Sequence, residues 1–464
     1  MANRLLNLLI RDGRIIDPQQ NVDAVGSLLV RDGKIAWIGF GEAMPTEGCY
    51  EIFDSAGMVV CPGFIDLHCH LREPGFENKE TIASGTLAAA RGGFTTVCAM
   101  PNTDPALSGE AEAAIIKSRI DSSAVVRVIP IGCITKQSAG RKLTDMTKLA
   151  TLGITMFSDD GHPVASSLIM RQALERSHES GYLIIDHCED PLLVQCGQIN
   201  EGKISEKLGL KGIPSVAEEI MVARDILLAQ FTGGHLHIAH ASTEGTVELI
   251  REAKERGINI TAEATPHHLT LTEEMVVTAG TMAKVNPPLR TEKDVLALIE
   301  GLKDGTIDIV ATDHAPHAAA GKDIPFLYAA CGISGLETAL GSLMKLVHNN
   351  EISLKMMVAK MTAEPGRVIG RRYPGLGTLR IGFPADVTIF DPEKRWVVKP
   401  DDFASKGKNT PLIGATLRGK VIATIAQGNI AYKDDVVKIS VIPTKSRNKR
   451  NFPVGAKDIK GDLT

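Results

Sequence analysis

The stretch VVCPGFIDLHCH, residues 59–70, decides the fold. It opens as an apolar, β-branched run and closes on His68 and His70, two residues apart. Side chains alternate along a strand, so both histidines are sent to one side and Cys69 to the other. Outward from this segment the pattern repeats. The apolar runs are Val59–Asp66, Phe94–Met100, Val125–Gly132, Gly153–Phe157, Tyr182–Asp186, His235–Ala239, Ile258–Glu263 and Ile307–Thr312. Helical patterns lie between them. Ser242 to Arg256, for example, opens on Ser/Thr capping residues, stops at Gly257 and puts Val247, Ile250 and the Lys254 stem on one face. Eight such units predict an α/β chain with a (β/α)8 TIM-like barrel.

The flanks read differently. Asp12-Gly13 and Asp32-Gly33 sit between short apolar runs, the signal of β-hairpins. The same style returns at Ala385–Phe390 and Arg418–Ile422. The expectation is one small discontinuous β-sandwich domain built from 1–58 and 371–442, a barrel over 59–370, and a polar basic tail over 443–464.

Composition narrows the function. Lys+Arg 51 against Asp+Glu 55 leaves −4, which gives no overall electrostatic case for nucleic acid or anionic lipid. With 44% hydrophobic and 23% charged residues the chain reads as globular, and the substrate as a small molecule. The charge-free stretch Ile226–Thr243 holds Gly233-Gly234 and three histidines, a poor membrane span. The start is too short in apolar residues for a secretory signal. Eight scattered cysteines with no CxxC pair read as buried free thiols in a reducing cytoplasm.

Barrel active sites form where the strands end. Those ends carry His68-Cys69-His70, Ser158-Asp159-Asp160, Asp186-His187-Cys188-Glu189, His240-Ala241-Ser242 and Thr312-Asp313-His314. Imidazoles mixed with carboxylates suit zinc, with manganese or cobalt as workable substitutes. If Leu236 and Ile238 fill the barrel, alternation turns His240 inward and His235 and His237 outward. Asp159 and Asp160 cannot be separated by spacing. Asp313 ends the eighth strand, where a carboxylate could orient a water and shuttle its proton. His267 and His268 read as supporting residues, and His162, His178 and His348 as surface ones.

These motifs resemble a known family. Pro62–Gly75 is similar to the opening signature of the amidohydrolase superfamily, in its cyclic-amidohydrolase branch. Together with Met100–Thr103, Phe157–Gly161, His187–Asp190, Asn286–Arg290 and Ala311–His317, it resembles the class I dihydroorotases from about residue 5 to 440. The resemblance implies two zinc ions per subunit. His68, His70 and Asp313 would hold the first, His187 and His240 the second. Many superfamily members bridge the pair with a carboxylated lysine on strand 4. This strand has none, and Asp160 takes its place. A plain carboxylate bridge holds the second zinc less firmly, so partial occupancy there fits the resemblance.

The implied reaction is reversible hydrolysis of (S)-dihydroorotate to N-carbamoyl-L-aspartate, a step of pyrimidine synthesis. A metal-bridging hydroxide is the nucleophile and Asp313 the proton shuttle. The implied substrate-binding set is His70, Arg72, Asn102, Asn286, His317, Cys331 and Gly332, with Arg72 offering a planar fork to the substrate carboxylate. The family commonly shows Ala-Pro-Phe-Gly where this chain reads Ala329-Ala330-Cys331-Gly332. Ala318 to Lys322 reads as a small, flexible lid.

Two rival readings compete. Dihydropyrimidinases, hydantoinases and allantoinases usually carry the strand-4 lysine and do not need Arg72 with His317. A non-catalytic dihydroorotase-like partner of aspartate carbamoyltransferase would lose metal ligands, and all six are present. The expectation is a cytoplasmic homo-oligomer, a dimer; association with that transferase is compatible with the same residues.

Overall fold

The computed structural model describes residues 7–42, 50–370, 372–435 and 440–442. The tail expected over 443–464 lies outside them, as does Cys49. The first strands are β1 (Leu8–Asp17), β2 (Val22–Arg31), β3 (Lys34–Gly39), β4 (Tyr50–Asp54) and β5 (Val59–Pro62). The barrel strands then follow as β6 (Phe64–Cys69), β7 (Phe94–Ala99), β8 (Arg127–Pro130), β9 (Met156–Ser158) and β10 (Leu183–Asp186). A short parallel pair, β11 (Ile199–Asn200) and β12 (Gly212–Ile213), interrupts the series. The barrel resumes with β13 (His235–Ile238), β14 (Ile260–Ala264) and β15 (Ile309–Val310). The chain returns to β structure in β16 (Val387–Val397), β17 (Thr416–Ala426), β18 (Asn429–Lys433) and β19 (Ser440–Ile442).

Parallel pairing runs β6-β7-β8 and β9-β10-β13-β14-β15. Bridges between Gly132 and Phe157 and between Cys69 and His314 join the two sets and close the barrel. Helices cover the outside because their starts are capped and one face is apolar. Ile82–Arg91 has a capping box from Thr81 and Ser84. Glu244–Glu255 is capped by Thr243 and buries Val247, Ile250 and Ala253.

The run read as one strand, Val59–Asp66, splits in two. Val59–Pro62 pairs with β1 and with β16, whereas Phe64–Cys69 pairs with β7. Gly63 marks the break: a Cβ there would lie 2.1 Å from the Thr95 hydroxyl. The small sheet therefore holds strands from both ends of the chain, in the order β18-β17-β16-β5-β1-β2-β3. It forks at β1, whose first half also pairs with β4, which in turn pairs with β19. Leu8, Ile15, Leu28, Phe53, Val387 and Ile422 are among the residues of its own core.

Inside the barrel, Ile65, Leu67, Ile129, Ile185, Ala239 and Ile309 pack together. Leu236 and Ile238 instead join the layer between strands and helices. The alternation expected for β13 is thus reversed: Leu236 and Ile238 face the helices, while His237 meets Thr261 and Glu263. Small Ala239 leaves room for these polar side chains in the barrel. Five cysteines are buried as expected, but Cys196 and Cys331 are exposed. No helix among the described residues is long and apolar enough to cross a membrane.

Candidate active site

Six side chains from five strand ends converge at the C-terminal mouth of the barrel. Asp160, just beyond β9, lies at the centre. Its Oδ2 is 3.4 Å from Nε2 of both His68 and His70, and its Oδ1 is 3.4 Å from His240 Nε2 and 3.6 Å from His187 Nδ1. One carboxylate thus presents one oxygen to each histidine pair. Asp159 turns away and accepts the Thr135 amide (2.9 Å) and hydroxyl. The tertiary contacts, not the spacing, separate the two aspartates.

Asp313 completes the first half, with Oδ1 3.1 Å from His70 Nε2 and 3.5 Å from His68 Nε2. All six groups are buried. Their ligand atoms fall into two overlapping sets, His68–Asp160–His240 and His68–His70–Asp313, each within 4.8 Å. Buried His68 Nε2 and Asp160 Oδ1 have no hydrogen-bond partner. Such orphaned acceptors facing a mixed nitrogen–oxygen set fit a pair of metal cations.

The electrostatics agree. Burial alone would raise the carboxyl groups of Asp160 and Asp313, but the neighbouring histidines, His68 foremost, hold both well below the usual range. Burial also opposes a charge on His187, yet the Asp160 and Glu189 carboxylates beside it carry it up to about 10. The centre favours positive charge.

The local backbone is bent to make this cluster. The β6–β7 register shifts between Asp66 and Cys69, which lets Leu67 fill the barrel and His68 and His70 still reach the same site. His240 and Asp313 adopt φ of 32° and 44°, conformations disfavoured for residues with a Cβ. At His240 this turn brings the side chain to the cluster although the strand before it runs in the opposite parity.

Around the cluster, His70 Nδ1 is 2.9 Å from Asn102 Oδ1, so the ring donates there and the Asn102 amide nitrogen remains to face the cavity. Arg72, at φ 61°, has its Nε 3.4 Å from the Pro316 carbonyl and an amino nitrogen 3.5 Å from His317 Nε2. The nearer partner of His317 Nε2 is the Cys331 carbonyl at 2.8 Å, so that nitrogen donates to Cys331 and cannot also accept from Arg72. Among the described residues no carboxylate forms an ion pair with Arg72. Burial lowers it to about 10, which leaves it cationic at neutral pH. Burial and the Arg72 charge push His317 down to about 3, so it stands neutral.

Asn286 donates its amide to Glu189 (2.6 Å), and its Oδ1 is buried without a partner. His268 steadies this loop through the Pro287 carbonyl (3.0 Å), a supporting contact, whereas buried His267 Nε2 has no partner. Gly332 has φ 141°, and a Cβ there would come within 2.6 Å of the Ala315 carbonyl. Only glycine lets this loop lie against the strand end.

The segment expected to be a flexible lid is pinned. Lys322 is fully buried and its Nζ donates to the Thr281 and Lys284 carbonyls, both at 3.0 Å. His348 is not a free surface residue either, because its Nε2 bonds the Pro392 carbonyl at 3.0 Å. Sequence reasoning gave no role to Glu263, which lies 2.6 Å from His68 Nδ1. The available signal was a carboxylate at the end of an apolar strand run. Asp186, Cys188 and Asp225 form another buried group, but Arg224 already sits 2.7 Å from Asp225 and supplies its cation.

Residues 57–246 match a family model described as dihydro-orotase-like. The chain is 48% identical to the dihydroorotase of Syntrophus aciditrophicus over 430 residues, covering 93% of this chain and 100% of that protein. It is 47% identical to the dihydroorotase of Aquifex aeolicus over 430 residues, with the same coverage. Among solved structures, the L-hydantoinase of Arthrobacter aurescens superposes with a TM-score of 0.83 at 24% identity, covering 94% of this chain and 98% of that one. The dihydropyrimidinase of Brevibacillus agri gives 0.80 at 24%, covering 92% and 95%. At that identity the two structures speak for the shared barrel fold alone. Relatives alike over their full length at nearly half of all positions share descent with this chain, which belongs to the dihydroorotase family.

Proposed function

We propose that the chain catalyses reversible hydrolysis of (S)-dihydroorotate to N-carbamoyl-L-aspartate, with two zinc ions per subunit. The observation that carries the reading is a guanidinium with no carboxylate partner among the described residues, beside a cluster with two cation-demanding halves. A substrate with one free carboxylate and one amide bond to be cut needs both.

His68, His70 and Asp313 would hold one ion and His187 and His240 the other, with Asp160 between them. When bound, the pair supplies Lewis-acid polarisation of the amide carbonyl and a water-derived nucleophile at neutral pH. Everything else falls to the chain's own groups. Arg72 forks onto the substrate carboxylate, assisted by the Asn102 amide nitrogen, while neutral His317, tied to the Cys331 carbonyl, borders the same subsite. Its rigid planar fork fixes which end of the ring enters first. His70 borders both the metal centre and this subsite. The unpartnered Asn286 Oδ1 accepts a ring N–H, and the Cys331–Gly332 backbone lines the far side. Asp313 takes the proton from the attacking water at its carboxylate and delivers it to the leaving ring nitrogen; ring closure reverses the path. A plain carboxylate from Asp160 would hold the second zinc less firmly than a carboxylated lysine, which supports partial occupancy there.

We read the protein as a cytoplasmic homodimer able to associate with aspartate carbamoyltransferase. What supports an oligomer is an apolar row on the helix Val216–Thr232, where Leu227 is 60% and Phe231 71% exposed. Sedimentation of the chain alone and with the transferase reads both points, and a lone monomer would end them.

The deciding experiment is ring opening of L-dihydroorotate by zinc-loaded protein, with dihydrouracil and allantoin beside it. Turnover of dihydroorotate alone, lost on chelation and regained with zinc, is expected. Preference for either carboxylate-free ring would overturn the substrate assignment.

A further inference from the structure

Glu263, near the end of β14, is fully buried and touches both halves of the cluster. Its Oε1 lies 2.6 Å from His68 Nδ1 and 3.2 Å from the backbone nitrogen of His240, and its Oε2 lies 3.1 Å from His237 Nε2. We propose that Glu263 is the positioning residue that keeps the two halves of the metal centre in register, backed by a hydrogen-bonded chain along the barrel interior. The proposal rests on reading the cluster as a binuclear metal centre.

The argument is one of donors and acceptors. An ionised carboxylate can only accept, so His68 must carry its proton on Nδ1. In the neutral ring that a cation requires, this leaves Nε2, the buried nitrogen without a hydrogen-bond partner, as the lone pair turned toward Asp160 and Asp313. A carboxylate behind a ligating imidazole fixes both its tautomer and its ring plane. The same oxygen accepts the His240 N–H, the amide of a residue held at φ 32°. One side chain therefore orients a ligand of the first half and anchors the strained turn that presents a ligand of the second.

The chain behind Glu263 is consistent to its far end. His237 donates Nε2–H to Glu263, so in its neutral form Nδ1 accepts the Thr261 hydroxyl at 2.8 Å. That hydroxyl has one proton, now committed, and so accepts from His235 Nε2 at 3.1 Å. Each proton is used once, and the reversed parity of β13 is what places His235 and His237 in this line.

The test uses full-length wild type, Glu263→Gln and His237→Phe, stripped of metal and titrated with zinc against a chromophoric chelator. The visible spectrum of each cobalt-loaded protein is recorded as well. Glutamine either turns its NH2 toward His68 and breaks that bond, or turns it toward His237, whose neutral ring can switch tautomer; in both cases the carboxylate charge behind His68 is lost. The expected result is a loss of about 10–100-fold in zinc affinity spread over both sites, with shifted cobalt bands. His237→Phe leaves every ligand and the carboxylate in place, and should show a smaller loss in the same direction. Wild-type affinity at both sites with an unchanged cobalt spectrum in Glu263→Gln would overturn the proposal. Should that variant not fold, unchanged affinity and spectrum in His237→Phe would do so instead. A wild-type chain that takes up no zinc or cobalt would remove the metal-centre reading itself, a distinct outcome.

Discussion

The metal cluster and the Arg72 subsite lie side by side, yet they are built on opposite electrostatic plans. In the cluster, Asp160 and Asp313 stand among four imidazoles with orphaned acceptors turned inward, an arrangement complementary to cations. At Arg72 a cation is held against a carbonyl and a neutral histidine with no carboxylate of the described residues in contact, an arrangement complementary to an anion. The difference teaches that chemistry and recognition are separable here. On the proposed reading the cluster would serve any cyclic amide, whereas Arg72 would select one that carries a carboxylate.

Breaking the cluster should cost most. Asp313→Asn removes the proton carrier and should lower kcat by about 10²–10⁴-fold while most of the metal stays bound, read by steady-state kinetics with metal analysis. Retained turnover would end its shuttle role. Arg72→Met sharpens the contrast. Losing a charge-assisted contact of about 1.5–3 kcal/mol should reduce kcat/KM for dihydroorotate roughly 10–150-fold and hardly touch dihydrouracil. Equal losses on both rings would move Arg72 out of recognition.

Asn286→Ala removes one neutral acceptor worth about 0.5–1.5 kcal/mol and should raise KM by about 2–12-fold. An unchanged KM would leave the buried Oδ1 without a task. The smallest effect belongs to Cys331→Ala. The contact to His317 comes from the backbone carbonyl, so KM should stay within about twofold. A large change would show that the thiol itself faces substrate.

The site was unevenly legible. His68 and His70 could be read because a two-residue period is a local property of strands. His240 was assigned to the right cluster from the wrong premise. Leu236 and Ile238 face the helices, and a turn at positive φ, not alternation, aims His240. No apolar pattern encodes such a turn, since the strain at one residue is held by contacts from another strand, here Glu263. The lid was misread for a similar reason. Its Ala-rich composition suggests freedom, but Lys322 anchors it through carbonyls some forty positions upstream.

What the amino-acid order determined by itself is whatever depends on near neighbours. That covers eight strand–helix units, the β style of both flanks, the capped helix starts and the residue types that close each strand. Local spacing left to the tertiary structure which of two adjacent aspartates stands between the histidine pairs, a choice otherwise made only by family resemblance, as well as where Val59–Asp66 divides and which way β13 faces. The tertiary structure also left Arg72 without a counter-ion among the described residues. Those outcomes depend on distances between segments far apart in the chain, set by packing and burial rather than by local periodicity.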